Sequence, residues 1–223
     1  MNLFDSILGM IAPYDCLQCG AQGSAWCKAC LLTYPTLPSI CYICARATKD
    51  HMPCNEHSTK YTPHNVFIAG DYTDSLQAVI RAYKFDYWRA AAHSLAQYLD
   101  TAVPYIAKDT IVTYVPATGN HVRERGFNHV KNISKVFAHM RHLPHHSTLL
   151  RVSYATQKGA NRETRMQQLQ NAFMPLPGVA HGKNVLLIDD VVTTGATIQE
   201  CTKQLYKTGA NSVQVAVIAR TPK

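Results

Sequence analysis

The sequence predicts an α/β protein in which a small cysteine-rich module precedes a parallel sheet flanked by helices. Seven of the eight cysteines lie between Cys16 and Cys54, whereas apolar runs alternate with amphipathic stretches from about residue 63 onward. Strands and helices that alternate in this way imply parallel strands joined by right-handed crossovers. We expect a module of residues 1–62 and a domain of residues 63–223, because Pro63 interrupts any helix at the boundary.

Each element of the second domain follows from its own periodicity. Strands are predicted where short apolar or β-branched runs end at a polar or turn residue, and helices where apolar residues recur every three or four positions. The predicted strands are residues 65–71, 110–115, 184–189 and 212–219. The predicted helices are residues 75–83, 90–103, 125–140 and 196–206.

Composition narrows the class of protein. The 223 residues include 22 Lys and Arg against 14 Asp and Glu, a net charge of +8 that favours anionic partners such as phosphates, nucleic acid or an acidic membrane face. No apolar run approaches the length of a membrane span. The stretch from Met1 to Cys16 lacks the Lys or Arg that precedes the apolar part of a secretory signal. We therefore expect a cytoplasmic protein with no membrane span.

Most of the cysteines form a repeated pair of C-x-x-C units, the last with His in place of Cys. Two residues between ligands let one tight turn present both side chains to one ion, and two such turns complete a tetrahedron. A reducing cytoplasm argues against disulfides. The pattern predicts two structural zinc sites that supply the folding energy of a module too small for a good core. The ligands are Cys16, Cys19, Cys27 and Cys30 in the first site, and Cys41, Cys44, Cys54 and His57 in the second, with His51 as the alternative to His57.

The stretch after the strand of residues 184–189 predicts a site for a sugar phosphate. The strand ends in Asp189 and Asp190, and the turn Thr193-Thr194-Gly195-Ala196-Thr197 opens a helix. Exposed N–H groups at a helix start, with hydroxyls beside them, bind anions. Carboxylates would repel a phosphate, but they can accept hydrogen bonds from ribose hydroxyls, so we expect both to face solvent. The alternative is a capped helix start after a buried strand.

This acidic pair and threonine-rich turn resemble the phosphoribosyl-pyrophosphate (PRPP) motif of the type I phosphoribosyltransferases. The order of motifs along nearly the whole chain is similar to that of the ComF family, competence-associated proteins with a zinc ribbon and a phosphoribosyltransferase-like domain. Besides the cysteine pairs and the PRPP motif, the features that carry this resemblance are Gly70-Asp71-Tyr72, Tyr83-Lys84-Phe85, Val115-Pro116, Arg125-Gly126-Phe127-Asn128, Gln157, Arg165 and Ala172-Phe173.

The resemblance implies a type I phosphoribosyltransferase-like sheet and a set of PRPP ligands. Asp189 and Asp190 would be the catalytic carboxylates on the ribose hydroxyls, and the turn would hold the 5′-phosphate. Residues 116–119 would face the pyrophosphate, and magnesium would bridge it to the ribose. The implied PRPP-binding residues are Asp189, Asp190, Val191, Thr193, Thr194, Gly195, Ala196 and Thr197, with Lys84, Arg123 and Arg125 as positive neighbours.

The segment from His121 to Arg165 carries nine Lys or Arg against two Glu, most of the excess positive charge of the chain. Single-stranded nucleic acid binds such a track when aromatic faces lie nearby. The candidate phosphate contacts are Lys131, Lys135 and Arg141, and the candidate stacking residues are Tyr83, Phe85, Tyr87, Trp88, Phe127 and Tyr154. The alternative is a solvated helix face together with pyrophosphate ligands.

Three functions fit these patterns. The first is a PRPP-binding protein of the competence type that handles single-stranded DNA during uptake, with a protein partner from the competence machinery. The second is a metabolic phosphoribosyltransferase with a small acceptor, and the third is a regulatory PRPP-binding protein without turnover. The zinc module and the basic segment favour the first, because a metabolic enzyme needs neither. Cys201, far from the other cysteines, is interpreted as a small core residue.

Overall fold

The computed structural model describes residues 14–85, 88, 90–118, 126–152 and 172–222. The strands are β1 Val66–Asp71, β2 Ile111–Tyr114, β3 Leu149–Arg151, β4 Phe173–Pro175, β5 Asn184–Val192 and β6 Ser212–Arg220. The helices are α1 Lys28–Thr33, α2 Asp74–Phe85, α3 Ala91–Ala102, α4 His129–Arg141 and α5 Ala196–Lys207, with a 3₁₀ turn at Asn55–His57.

Four strands form one parallel sheet in the order β1-β6-β5-β2. Because every strand runs the same way, the carboxyl ends of all four meet at one edge. This edge is where open α/β sheets bind ligands. The strands and helices of this domain confirm the α/β prediction, with the parallel pairing that the alternation of elements implied.

Two local features differ from the sequence prediction. Residues 126–128 are not helical: Gly126 has a φ of +70°, and the Asn128 side chain accepts a hydrogen bond from the Lys131 N–H at 3.0 Å, so α4 begins at His129. The antiparallel pair of β3 and β4 was not predicted. Each of these strands has three residues, too few to show a period of two.

Two apolar cores lie on opposite faces of the sheet. The first core packs α2, α3 and α4 against the sheet through side chains such as Leu76, Leu95 and Ile133. The second packs α5 against the other face through Ile198 and Leu205. The cysteine-rich module contributes to both: Cys16, Trp26 and Cys30 belong to the first core, and Ile40 and Tyr42 belong to the second.

The cysteine-rich module also covers the free edge of β1. The Leu37 N–H donates to the Ala69 carbonyl at 3.0 Å, and the Val66 N–H donates to the His51 carbonyl at 2.8 Å. The Tyr98 hydroxyl of α3 lies within hydrogen-bonding distance of the carbonyls of both Ala69 and Pro35. These bonds satisfy backbone groups that an open edge strand would leave unpaired.

The described helices are short. The longest is α4 with 13 residues, below the roughly 20 apolar residues that cross a bilayer, so no helix in the described ranges is a membrane span.

Candidate nucleotide and metal sites

The carboxyl end of β5 carries the two predicted acidic residues into the ligand-binding edge of the sheet. Asp189 and Asp190 lie within the strand, and both are about nine-tenths buried. The expectation that the carboxylates face solvent is therefore wrong, since packing on both sides of β5 covers them. A buried carboxylate needs a partner for its charge or must hold a proton.

Side chains from two helices contact Asp190. Lys84 Nζ, at the end of α2, donates to Asp190 Oδ2 at 2.6 Å, and His129 Nε2, at the start of α4, donates to the same oxygen at 2.5 Å. The Val191 N–H donates to Asp190 Oδ1 at 2.5 Å. Burial raises the pKa of Asp190, but Lys84 and His129 outweigh it and hold the pKa well below its ordinary value. Asp190 is therefore an ionised carboxylate that contacts one residue at the end of α2 and one at the start of α4.

Asp189 has the opposite character. Burial and the adjacent charge of Asp190 raise the pKa of Asp189 well above its ordinary value, while Lys84 and Arg151 oppose the shift. Asp189 Oδ1 accepts a hydrogen bond from the Asp190 N–H at 2.9 Å. The neighbouring carboxylates thus have pKa values pushed in opposite directions, an arrangement common at functional sites.

The turn at residues 193–197, called the phosphate loop below, follows directly. Thr193 and Thr194 are exposed, and Gly195 has a φ of +82° that suits glycine. Because the residue before α5 is this glycine, it offers no side chain to cap the first N–H groups of the helix. The Thr194 hydroxyl approaches the Ala196 N–H at 3.4 Å. The loop can therefore present backbone donors and threonine hydroxyls to an anion.

Two residues that sequence reasoning did not assign to the site lie beside it. His129 contacts Asp190 from 61 positions away, and its only local signal is its place after the Asn128 cap. Arg151 is half-buried on β3, with its guanidinium 5.0 Å from the centre of the Phe173 ring on β4. Burial lowers the pKa of Arg151, and the nearby charge of Asp189 opposes that shift. The small antiparallel pair thus brings a positive charge close to Asp189.

Some of the other predicted PRPP ligands lie in the part of the chain that the structure describes, and others do not. Residues 116–118 follow β2 at the carboxyl edge, where the Val115 N–H donates to the Ile188 carbonyl at 2.9 Å. Lys84 contacts Asp190, as given above. Gly119, Arg123, Arg125, Gln157 and Arg165 lie outside the described residues.

Both predicted metal sites assemble. The four ligand atoms of the first cysteine cluster (Cys16, Cys19, Cys27, Cys30) and those of the second cysteine cluster (Cys41, Cys44, Cys54, His57) each lie within 4.8 Å of one another. Within them, the Cys19 and Cys27 sulfurs are 3.7 Å apart, as are those of Cys44 and Cys54. Neighbouring sulfurs about 3.8 Å apart are what a tetrahedral ion with bonds of about 2.3 Å requires. Each cluster could hold one metal ion.

The second cluster also resolves the choice between the two histidines. His57 Nδ1 lies 3.1 Å from the Cys54 sulfur and 3.7 Å from the Cys41 sulfur. The His51 ring packs instead against Phe67, with ring centres 5.3 Å apart. His57 is therefore the histidine of the second cluster.

The first cysteine of each cluster has a lowered pKa, which favours its thiolate form. Burial raises the pKa of Cys16, but hydrogen bonds from backbone N–H groups, including that of Cys27, bring it down to about 6. The same balance lowers the pKa of Cys41 to about 6. A thiolate is the form that binds metal.

The eighth cysteine, Cys201, is fully buried in the second core, as predicted.

The predicted nucleic-acid residues occupy different surroundings. Lys131 and Lys135 lie on α4 beside the stacked rings of Tyr114 and His145, and the Lys131 ammonium is 5.9 Å from the centre of the Tyr114 ring. Burial and then these two lysines lower the pKa of His145 to about 4, so this imidazole is neutral. Lys135 is exposed, and Lys131 is half-buried.

The Arg141 guanidinium is engaged within the fold. It donates to the Asp100 carboxylate and to the backbone carbonyls of Asp100, Val103 and Pro104 at the end of α3. The positive charge of Arg141 therefore lies at the C-terminus of α3, where the helix dipole favours cations.

The predicted stacking residues also differ in access. Tyr83 is buried at 1% exposure and packs against Phe127, so its proposed stacking on a nucleic acid base is wrong. Phe85, at the end of α2, is 59% exposed. Trp88 is half-buried against Tyr14, and Tyr87 and Tyr154 lie outside the described residues.

Comparison with known proteins places these features in a family. The sequence profile of the phosphoribosyl transferase domain matches residues 125–223. The chain is 30% identical to the DNA utilization protein YhgH of Escherichia coli K12, over 87% of this chain and 90% of that protein. It is 32% identical to competence protein F of Haemophilus influenzae Rd, over 69% of this chain and 71% of that protein.

A solved structure, that of the allosteric regulatory enzyme of purine biosynthesis, aligns with 57% of this chain and 25% of its own. The TM-score is 0.42 and the sequence identity is 21%. The assignment of the phosphoribosyltransferase-like domain rests on the matched profile and on the parallel sheet that ends in the acidic pair and phosphate loop.

Proposed function

The chain belongs to the ComF family, with competence protein F and DNA utilization protein YhgH, and from this premise we propose that it binds PRPP with magnesium and handles single-stranded DNA during uptake. The observation that carries the proposal is the junction of β5 and α5. An acidic pair there leads into a phosphate loop at the carboxyl edge of a parallel sheet.

The parts of the junction match the parts of PRPP. The phosphate loop offers backbone N–H groups and the hydroxyls of Thr193, Thr194 and Thr197 to the 5′-phosphate. Asp189 and Asp190 precede the loop and would accept hydrogen bonds from the ribose hydroxyls. Residues 116–118, on the neighbouring strand end, would face the pyrophosphate. Arg123 and Arg125 remain part of this proposal as its positive neighbours.

In this proposal, Lys84 and His129 orient the Asp190 carboxylate. Because both hold Asp190 Oδ2, they fix the direction of that carboxylate before any ligand arrives. A preorganised acceptor costs less to order when ligand binds. Lys84 would therefore act on PRPP through Asp190.

Magnesium bound with PRPP would neutralise the pyrophosphate charge. The donors on this chain fit that role, since carboxylate oxygens are the ligands that magnesium prefers. If pentosyl transfer occurs, pyrophosphate leaves ribose C1′ as positive charge develops on the sugar. Asp189 and Asp190 would then be the catalytic residues that orient the ribose and stabilise that charge.

Both cysteine clusters are proposed to hold structural zinc. Their ligand sets, four sulfurs in one and three sulfurs with one imidazole in the other, are those that zinc takes in closed sites. We propose the cytoplasm as the compartment, because its thiol pools keep such cysteines reduced.

For single-stranded DNA, we propose a surface that begins beside the PRPP site. Lys84 and His129 both reach Asp190, so the end of α2 and the start of α4 lie close together. Exposed Phe85 on α2 offers a stacking face, and Lys131 and Lys135 on α4 offer positive charge. Arg141 stays outside this surface because its guanidinium is engaged with α3.

Isothermal titration calorimetry with PRPP and magnesium, with and without single-stranded DNA, tests the proposal. We expect saturable PRPP binding, DNA binding at low salt, and a measurable effect of one ligand on the other. PRPP binding without DNA binding would leave the metabolic enzyme as the better function. A folded protein that gives no heat with PRPP would overturn the assignment of the site.

A further inference from the structure

The turn of the second cysteine cluster touches the phosphate loop, most closely through the ring of Tyr42. Tyr42 lies between two ligands of that cluster, Cys41 and Cys44. A Cβ atom at Gly195 would stand 2.7 Å from Tyr42 Cε2 and 3.1 Å from Ile43 Cγ1. Such distances leave no room for a side chain, so the Tyr42 ring and the backbone of the phosphate loop are in direct contact.

The position of the Tyr42 ring is set by the turn that carries the ligands. The Cys41 N–H donates to the Arg46 carbonyl at 2.8 Å, and the Ala45 N–H donates to the Cys41 carbonyl at 2.9 Å. The ring is 1% exposed and belongs to the second core. The Gln199 side chain lies near the Tyr42 hydroxyl but outside hydrogen-bonding geometry, so the hydroxyl has no partner in the described part of the chain. The ring therefore acts by packing.

We propose that Tyr42 is a positioning residue that couples metal binding in the second cysteine cluster to the shape of the phosphate loop. The inference rests on the proposed PRPP site. Thr193 and Thr194 are exposed, whereas Gly195 is buried against the ring, so the ring supports the loop from beneath. Small metal modules unfold when the metal is lost. Loss of metal from this cluster would release the ring, and the loop would then spend only part of its time in the binding conformation.

The first cysteine cluster provides an internal control. Its Trp26 packs against Tyr98 of α3, with ring centres 5.0 Å apart, and against Tyr34 at 5.4 Å. These contacts belong to the first core, on the opposite face of the sheet from the Tyr42 ring. The two clusters are similar in ligand number and spacing, but the three atoms nearest a Cβ at Gly195 belong to Tyr42 and Ile43, in the turn of the second cluster.

The first test substitutes the ring itself and measures PRPP affinity by calorimetry and metal content by mass spectrometry. Tyr42→Ala should keep both metals and bind PRPP about tenfold more weakly, as expected if the loop is competent about a tenth of the time. Tyr42→Phe keeps the ring and loses only an unpaired hydroxyl, so it should bind as wild type does. Equal PRPP affinity in Tyr42→Ala and wild type would overturn the inference.

The second test compares matched cluster variants. Cys44→Ser in the second cluster and Cys19→Ser in the first should each lose one metal ion. Only Cys44→Ser should weaken PRPP binding, by about tenfold or more. Equal weakening in both would show general destabilisation of the module and overturn the coupling. Wild-type binding tests the proposed function, and the ratio between variants tests the inference.

Hydrogen exchange of peptides that cover the phosphate loop gives a readout that needs no ligand. Faster exchange in Tyr42→Ala and Cys44→Ser, with unchanged exchange in Cys19→Ser, is expected. This measurement keeps the coupling testable if PRPP does not bind. Unchanged loop exchange in all three variants would contradict it.

Discussion

His129 Nε2 lies 2.5 Å from Asp190 Oδ2, although 61 positions separate the two residues. Lys84 approaches the same oxygen from α2, so one buried carboxylate joins the start of α4 to the end of α2. These contacts keep Asp190 ionised, and that negative charge is one reason why the pKa of Asp189 rises. Two adjacent acids can be buried together because only one of them must be charged.

Lys84→Met should lower the free energy of unfolding by about 3 kcal/mol, because it leaves the buried Asp190 charge with one partner fewer. Urea denaturation measures this loss. The double variant Lys84→Met/Asp190→Asn removes the charge as well, and it should regain a clear part of the stability. If the double variant is as unstable as the sum of the two single variants, the pair is not coupled.

At pH 9, above the raised pKa of Asp189, Asp189→Asn should weaken PRPP binding by about ten- to a hundredfold, because a charge-assisted hydrogen bond to a ribose hydroxyl is replaced by a neutral one. The contacts of Asp190 with Lys84 and His129 remain, so the fold should persist. Adding Asp190→Asn should bring the loss to at least about a hundredfold. Asp109→Asn, an exposed acid before β2 at the opposite edge of the sheet, is the matched control and should bind as wild type does. Wild-type affinity in Asp189→Asn would place the ribose elsewhere.

The raised pKa of Asp189, to about 8 with burial as the larger cause and Asp190 as the second, predicts a pH dependence of stability. The folded state holds a proton that the unfolded state releases near its ordinary value of about 4. The stabilisation is therefore complete below about pH 4 and is lost as pH rises through about 8.

Asp189→Asn mimics the protonated acid, so its stability relative to wild type should increase steadily from about pH 5 to about pH 9. Chemical denaturation of both proteins across this range measures the difference, which removes the contribution of the other titrating groups. The difference between Asp109→Asn and wild type should stay flat. A flat difference for Asp189→Asn as well would mean that Asp189 titrates as an ordinary carboxyl.

Much of this architecture could be predicted because it is encoded locally. Strand β5 shows its apolar run and its acidic end within a few residues, and the ligands of each metal cluster lie close enough in sequence for their spacing to show. Contacts between distant segments left no such signal. His129 on Asp190 and Tyr42 on Gly195 depend on how helices and module pack on the sheet. Burial of the acidic pair was missed for the same reason.

Purified, folded protein should contain two zinc ions per chain, because both clusters have four ligand atoms at the spacing of a closed tetrahedral site. Elemental mass spectrometry gives the ratio of metal to protein. Cys201→Ser should leave that ratio unchanged, since Cys201 is buried away from both clusters. A ratio of one or zero in a folded sample would contradict the assignment of two sites.

Single-stranded DNA binding should weaken with salt, because each phosphate contact releases counterions and contributes a log–log slope of about −0.7. Replacing Lys131 and Lys135 by Gln should flatten the slope by about 1.4 units if each contacts one phosphate. Arg141 is left unchanged, since its guanidinium caps α3 and its loss would act through stability. Fluorescence anisotropy of a labelled oligonucleotide across a salt series measures the slope.

The control for this experiment removes the same charge elsewhere. Lys183 and Lys207 are exposed at the start of β5 and the end of α5, at the opposite edge of the sheet from the phosphate loop. Replacing both of these lysines by Gln should leave the salt dependence at the wild-type slope, because neither lysine lies on the proposed DNA surface.

PRPP affinity should change little in either double variant. Lys131 and Lys135 lie beside Tyr114 and His145, and neither is among the ion-pair partners of Asp190. If the salt slope of DNA binding becomes equally flat in both double variants, DNA binding depends only on the net charge of the protein. If the Lys131/Lys135 variant loses PRPP binding, these lysines belong to the nucleotide site.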